Sequence, residues 1–186
     1  SDSRRAAPGA LFVAFKGMYA DGHDYMAACL KAGAACCISE REPHADEMPC
    51  VQVKSSLAAM GMLAKWYRSL FDVPVVGITG SVGKTTTKEM IASVLSVAFN
   101  THKTQQNFNN ELGVPQTLMQ MDEMHEVAVI EMGISDFGEM RRLTNIVRPT
   151  MAVLCKIGDS HLETLKNREG VLRAKSEIFE SMRDCD

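Results

Sequence analysis

A chain of 186 residues, 46% of them hydrophobic, is long enough to bury one medium core together with a smaller one. Its formal net charge of -3, with no long run of Lys or Arg, excludes a surface built for non-specific nucleic-acid or polybasic membrane binding. No apolar run approaches the ~18–20 residues that span a bilayer and no signal peptide opens the sequence, so a cytoplasmic protein without membrane insertion is expected. The cysteines Cys29, Cys36, Cys37, Cys50, Cys155 and Cys185 form no C-x-x-C pair and lie in or beside apolar runs, which reads as reduced structural thiols.

In chain order, residues 11–15 (LFVAF) predict a strand, residues 25–32 a helix ended by Gly33, residues 35–39 a second strand and residues 57–71 an amphipathic helix. A boundary is expected near Asp72, with a first domain over 1–72 and a second over 73–186. Beyond it, three Val- and Ile-rich runs at Val75–Thr79, Val127–Glu131 and 151–155 alternate with helical segments. Uninterrupted apolar strands of this kind build a parallel sheet covered on both faces, and such sheets bind ligands beyond the carboxyl ends of their strands. The fold class expected is therefore α/β, a small N-terminal α/β domain followed by part of a P-loop-type, mainly parallel-sheet ATPase domain.

The first of those strands runs into GSVGKTTT, residues 80–87, and then into a helix with apolar residues at Ile91, Val94, Leu95 and Ala98. The common pattern G-x-x-x-x-G-K-[ST] needs a glycine where Ile78 stands, so the spacing is not the usual one. Strand, glycine turn, Gly-Lys-Thr and helix nevertheless follow in the order that a phosphate site requires. Amides around Gly80, Ser81 and Gly83 and at the helix start would face an anion, Lys84 adds a mobile charge, and Thr85 offers a hydroxyl to Mg2+. Against this stands a plain glycine turn with a solvent-facing lysine.

The second strand ends in Glu131, which places a carboxylate at the same edge, and the third is followed by KIGDSH, which brings His161 there. Taken singly, each is as readable as an ordinary surface group. Lys175 lies in the helical segment 168–183 on the stripe formed by Val171, Ile178, Phe179 and Met182. Two readings stay open for it: snorkelling to solvent, or desolvation that lowers its pKa until the neutral amine takes up CO2 as a carbamate, an anionic Mg2+ ligand.

The loop 79–86 (TGSVGKTT) resembles the ATP loop of the Mur ligase family, which lacks the distant first glycine. HKTQQNFNNELGVPQTL, residues 102–118, and VAVIEMGISDFGEM, residues 127–140, are similar to the family members that add D-alanyl-D-alanine to UDP-N-acetylmuramoyl-tripeptide. DSRRAAPGALFVAFKGMYADGHDY, residues 2–25, resembles the UDP-substrate-binding domain of the same ligases, so the likeness covers nearly the whole chain. It implies an ATP-dependent ligase of peptidoglycan precursor synthesis, working through an acyl phosphate, with ATP and Mg2+ as cofactors and the UDP-tripeptide and dipeptide as its partners. Gly80, Ser81, Gly83, Lys84, Thr85 and Thr86 would hold the nucleotide. Thr85, Glu131, His161 and a carbamylated Lys175 would hold metal, with Lys84, Lys175 and His161 as the catalytic set. Ser3, Arg4, Asp21, Gly22 and His23 are implied to contact the UDP-sugar, and Asn107, Asn109 and Asn110 to position substrate or nucleotide.

Two residues depart from the family pattern. Val82 and Lys156 stand where asparagine is common; Val82 removes a polar contact, and Lys156 adds a charge that either weakens cation binding or pairs with phosphate. Against the family's three-domain plan, the sequence starts inside the first motif and stops within the central domain. The expectation is thus a monomeric fragment with weak ligand binding and little turnover by itself. Other readings are a ligase adding the third amino acid, a P-loop kinase or ATPase, and a non-catalytic nucleotide-binding module. The motifs of the N-terminal segment argue against the ATPase and against folylpolyglutamate synthase.

Overall fold

A computed structural model describes residues 6–17, 20–42, 49–180 and 182. Its contacts divide the chain into two units, Ser1–Met60 and Gly61–Asp186. The division falls within a helix rather than at Asp72.

In the first unit, β1 (Leu11–Val13) is followed by a 3-10 turn at Gly22–Tyr25, α1 (Met26–Lys31), β2 (Cys36–Ser39) and β3 (Cys50–Gln52). The strands pair in parallel in the order β1-β2-β3, with Phe12 opposite Cys37 and Cys37 opposite Cys50. Alternation along each strand sorts the side chains: Phe12, Ala14 and Cys37 join Met26, Cys29 and Ala34 of the helical side, whereas Val13 and Ile38 meet Ala59 on the other face. β3 is a strand the sequence pattern did not predict. Cys29, Cys36, Cys50 and Cys155 are free thiols.

α2 (Ser56–Arg68) leads into the second unit, where β4 (Val75–Thr79), α3 (Lys84–Leu95), β5 (Thr101–Lys103), α4 (Gly113–Leu118), β6 (Val127–Glu131), α5 (Glu139–Val147), β7 (Met151–Leu154), α6 (Leu162–Leu165) and α7 (Arg168–Ser176) follow. The four strands form one parallel sheet in the order β5-β6-β4-β7. Every residue of β4 and β6 is buried, which is why these segments read as continuous apolar runs. Val76, Ile78 and Val129 pack on Ala92 of α3, and Val75, Ala128 and Ile130 pack on the other side against Val114, Leu143, Val171 and Ile178. Parallel strands with helices on both faces bear out the α/β expectation. α7 ends at Ser176 and tightens into a 3-10 turn at Glu177–Phe179, short of the predicted end of that helical segment.

Register sets the edge at which a ligand can sit. Ile78 pairs with Glu131 and Thr79 with Leu154, so the ends of β4, β6 and β7 lie level.

Candidate functional site

β4 delivers the chain to Thr79, whose buried hydroxyl has no hydrogen-bond partner among the described residues, and residues 80–83 turn it into α3. Gly80 adopts φ +150 with the Cβ of Cys155 only 2.8 Å from where a side chain would begin, and Gly83 adopts φ +90 at the N-cap of α3. Both positions call for glycine. The loop is tied to the segment after β7. The Ser81 and Val82 amides donate to the Lys156 carbonyl at 2.9 and 3.4 Å, and the Ser160 hydroxyl donates to Ser81 Oγ at 2.9 Å. The Lys84 ammonium folds back onto the Gly80 carbonyl at 2.9 Å. Among the described residues no side chain caps α3, so the amides of its first turn, which also carries exposed Thr85 and Thr86, remain for an anion.

Thr85 Oγ1 donates to Glu131 Oε2 at 3.0 Å, which joins the start of α3 to the end of β6. Adjacent oxygen ligands of an octahedral Mg2+, each at about 2.1 Å from the ion, lie about 3 Å apart, so this pair suits a hard cation bridging to a phosphate. The other carboxylate oxygen of Glu131 accepts from Asn109 Nδ2 at 2.8 Å, and its amide donates to Thr104 Oγ1 at 2.9 Å. Glu131 is thus 1% exposed, yet fully engaged. Among the described residues no group of three or more His, Cys, Asp or Glu side chains is placed to hold a metal. A cation here would find two ligands in Thr85 and Glu131 and take others from phosphate and water.

Lys175 is 1% exposed and makes no hydrogen bond among the described residues. Burial, reinforced by the Lys84 charge and opposed by Glu139, pushes its pKa down to about 8. Of the two readings open in the sequence, snorkelling is the one the structure overturns.

His161 stands at the N-cap of α6. It has a left-handed backbone, φ 55, and its half-exposed imidazole meets Glu163 at 3.8 Å. Its link to the phosphate loop is through the neighbouring Ser160. Of the asparagines, Asn109 reaches the site, Asn107 is exposed, and Asn110 spends its side-chain oxygen on the Gly113 and Leu112 amides at 2.8 and 3.2 Å, opening α4. The Asn110 oxygen thus serves the opening of α4.

In the first unit, Asp21 caps the 3-10 turn by accepting from the His23 amide at 3.0 Å and also bonds the His23 ring, which holds the Asp21 carboxyl below its ordinary range. The other ring nitrogen of His23 accepts from the Glu40 amide at 3.0 Å, so the imidazole is a buried bracket with no free nitrogen. Gly22 sits where a Cβ would lie 2.7 Å from the Phe15 nitrogen. Ser3 and Arg4 lie outside the described residues. The pattern-based reading missed Lys88, a buried ammonium behind Glu131, although its place on the apolar stripe of α3 was a signal.

Family models match along the chain: Mur ligase family, catalytic domain, over residues 1–68, and Mur ligase middle domain over residues 78–186. The UDP-N-acetylmuramoyl-tripeptide--D-alanyl-D-alanine ligase of Bacillus subtilis (strain 168) is 40% identical over 186 residues, covering 99% of this chain and 41% of the relative. A crystal structure of MurF from Acinetobacter baumannii superposes with TM-score 0.94 at 38% identity, over 99% of this chain and 41% of that one. MurF ligase from Thermotoga maritima in complex with ADP gives TM-score 0.92 at 36% identity, over 98% of this chain and 43% of that one. The chain spans about 40% of the length of the curated relatives it matches. It belongs to the Mur ligase family.

Proposed function

We propose that this chain carries the UDP-substrate-binding and ATP-binding parts, over 1–72 and 73–186, of a cytoplasmic, monomeric ligase that adds D-alanyl-D-alanine to UDP-N-acetylmuramoyl-tripeptide. The observation that carries this reading is the Thr85–Glu131 oxygen pair beside an uncapped helix start, in a chain 40% identical over nearly its whole length to a ligase of that name. The ADP named with the Thermotoga maritima relative supports a nucleotide at this loop.

The free carboxylate of the tripeptide attacks the γ-phosphorus of ATP, the bond to the β-phosphate oxygen breaks, and ADP leaves. The amine of the dipeptide then adds to the acyl carbon, phosphate departs and an amide remains. Lys84 exchanges the Gly80 carbonyl for phosphate oxygens and offsets charge as it builds on the transferring group, and the amides of Gly83 to Thr86 hold the phosphates in line. Thr85 and Glu131 are the residues that would hold Mg2+, which when bound would screen the phosphate charge. Lys175 is assigned as the carbamylated lysine: its neutral amine adds to CO2 and releases a proton, leaving an anionic oxygen donor. Its burial and lowered pKa favour that reaction at neutral pH. His161, Ser3 and Arg4 are kept as site residues on family likeness. Asp21, Gly22 and His23 shape the UDP-sugar surface from beneath.

The test joins this chain to the remaining length of its relatives and supplies ATP, Mg2+, UDP-muramoyl-tripeptide and D-alanyl-D-alanine. A pentapeptide product seen by mass, lost in Lys84→Ala with folding intact, is the expected result. ATP hydrolysis that ignores the UDP-muramoyl substrate would instead identify a P-loop ATPase, and a preference for a single amino acid would identify a ligase of the third residue.

A further inference from the structure

α3 packs on the sheet through Ile91, Ala92 and Leu95, and the position one turn earlier on that stripe is Lys88. A lysine there would ordinarily run its stem to solvent, but Lys88 is 1% exposed. Its ammonium donates to the Thr104 carbonyl at 2.8 Å and lies 3.5 Å from the Gln106 carbonyl, 3.2 Å from Glu89 Oε1 and 3.9 Å from Glu131 Oε2. Four acceptors surround three protons, and two of them are carboxylates, Glu89 of α3 itself and Glu131 at the end of β6. Glu89 in turn pairs with Lys103 of β5, so charges of alternating sign run from the surface to Glu131.

Each contact fixes something the site uses. The Thr104 and Gln106 carbonyls begin the loop that carries Asn109, and Asn109 packs against Gly133 while donating to Glu131. The Thr104 hydroxyl accepts the Glu131 amide. Lys88 therefore holds, from one buried point, both the loop that orients the Glu131 carboxylate and the charge that faces it.

We propose that Lys88 is a positioning residue for cation-dependent nucleotide binding: it fixes Glu131 and the Asn109 loop against the phosphate helix, so that Thr85 and Glu131 present a preset oxygen pair. This rests on the nucleotide site proposed above. It separates two parts of the affinity, because the amides and Lys84 that hold phosphate do not depend on Lys88, whereas the oxygen pair does. A role confined to holding the fold would weaken both together.

The experiment is calorimetric titration of the chain with ADP, once in EDTA and once in Mg2+, for the wild type, Lys88→Met and Lys88→Arg. The wild type is expected to gain affinity with Mg2+. Lys88→Met is expected to keep its EDTA affinity within about threefold while losing about 10- to 100-fold of the Mg2+ gain, the range for removing a partner of a metal ligand. Lys88→Arg keeps the charge but not the fit and should lose about threefold of that gain. Should Lys88→Met lose ADP in EDTA as well through misfolding, Lys88→Arg decides the matter by itself. A Mg2+ gain equal to the wild type's in the folded variants, or equal losses with and without Mg2+, overturns the inference while leaving the site standing. A wild-type chain that binds no ADP overturns both.

Discussion

Replacing Lys175 with methionine should stabilise the protein at neutral pH. The side chain is 1% exposed, lacks a hydrogen bond among the described residues and feels Lys84 as a like charge. A pKa lowered from 10.5 to about 8 means that the protonated form is disfavoured in the folded state by about 3 kcal/mol. Below about pH 8 the lysine is charged both folded and unfolded, so the whole cost weighs on the native state. Between about pH 8 and the unfolded value the unfolded chain binds more protons, stability rises with pH, and the cost fades to under about 1 kcal/mol near pH 10. Methionine fills a similar volume without the charge. Denaturant unfolding of wild type and Lys175→Met in CO2-free buffer should therefore differ by about 3 kcal/mol near pH 7 in favour of the variant, and by under about 1 kcal/mol near pH 10. A variant no more stable than the wild type at neutral pH, or an advantage that does not shrink in alkali, would refute the account of Lys175 as a desolvated, unsatisfied amine.

Arg68, buried, satisfies the carbonyls of Val147, Phe71 and Val73 at 3.1, 2.6 and 3.2 Å. Arg68→Met should cost about 2–4 kcal/mol in denaturant unfolding, since it leaves those acceptors without donors. His102 is buried with one ring nitrogen on the Thr117 carbonyl, and burial lowers its pKa, so its contribution to stability is present above the unfolded value and is lost as pH falls through that value toward the folded one. His102→Gln should flatten the acid limb of a stability–pH curve. Gly80→Ala forces a Cβ to within 2.8 Å of Cys155 at φ +150, and should lower ADP affinity about tenfold or more by calorimetry while strand content by circular dichroism is kept.

What the sequence disclosed depended on how many residues shared each signal. β4 and β6 were legible because a strand buried on both faces must be apolar throughout, β7, a half-covered edge strand, because its short run is apolar as well, and Glu131 stood out as the carboxylate that ends β6. β3 and β5 are three residues each, and β5, Thr101–Lys103, mixes a threonine, a buried histidine and a lysine, so no period announces it. The burial of Lys175 was written in its stripe, but only packing could decide between snorkelling and enclosure. Lys88 sat on an equally clear stripe and went unread, since two of its four partners are backbone carbonyls of a distant loop that no side-chain pattern encodes. For His161 and Asn110 the motifs suggested ligand contact but carried no sign of the local geometry, an exposed, left-handed seat for one and a helix to open for the other.

The phosphate loop satisfies its own groups over its first half: the Ser81 and Val82 amides donate to the Lys156 carbonyl, and Lys84 to that of Gly80. An arriving anion must therefore trade with these partners as well as add to them, and the heat it releases is a net difference between two sets of bonds. The donors with no such debt begin at Gly83, so the deepest phosphate should seat over the first turn of α3. Slow amide exchange on ligand loading should accordingly appear at residues 83–86 before it appears at residues 81 and 82.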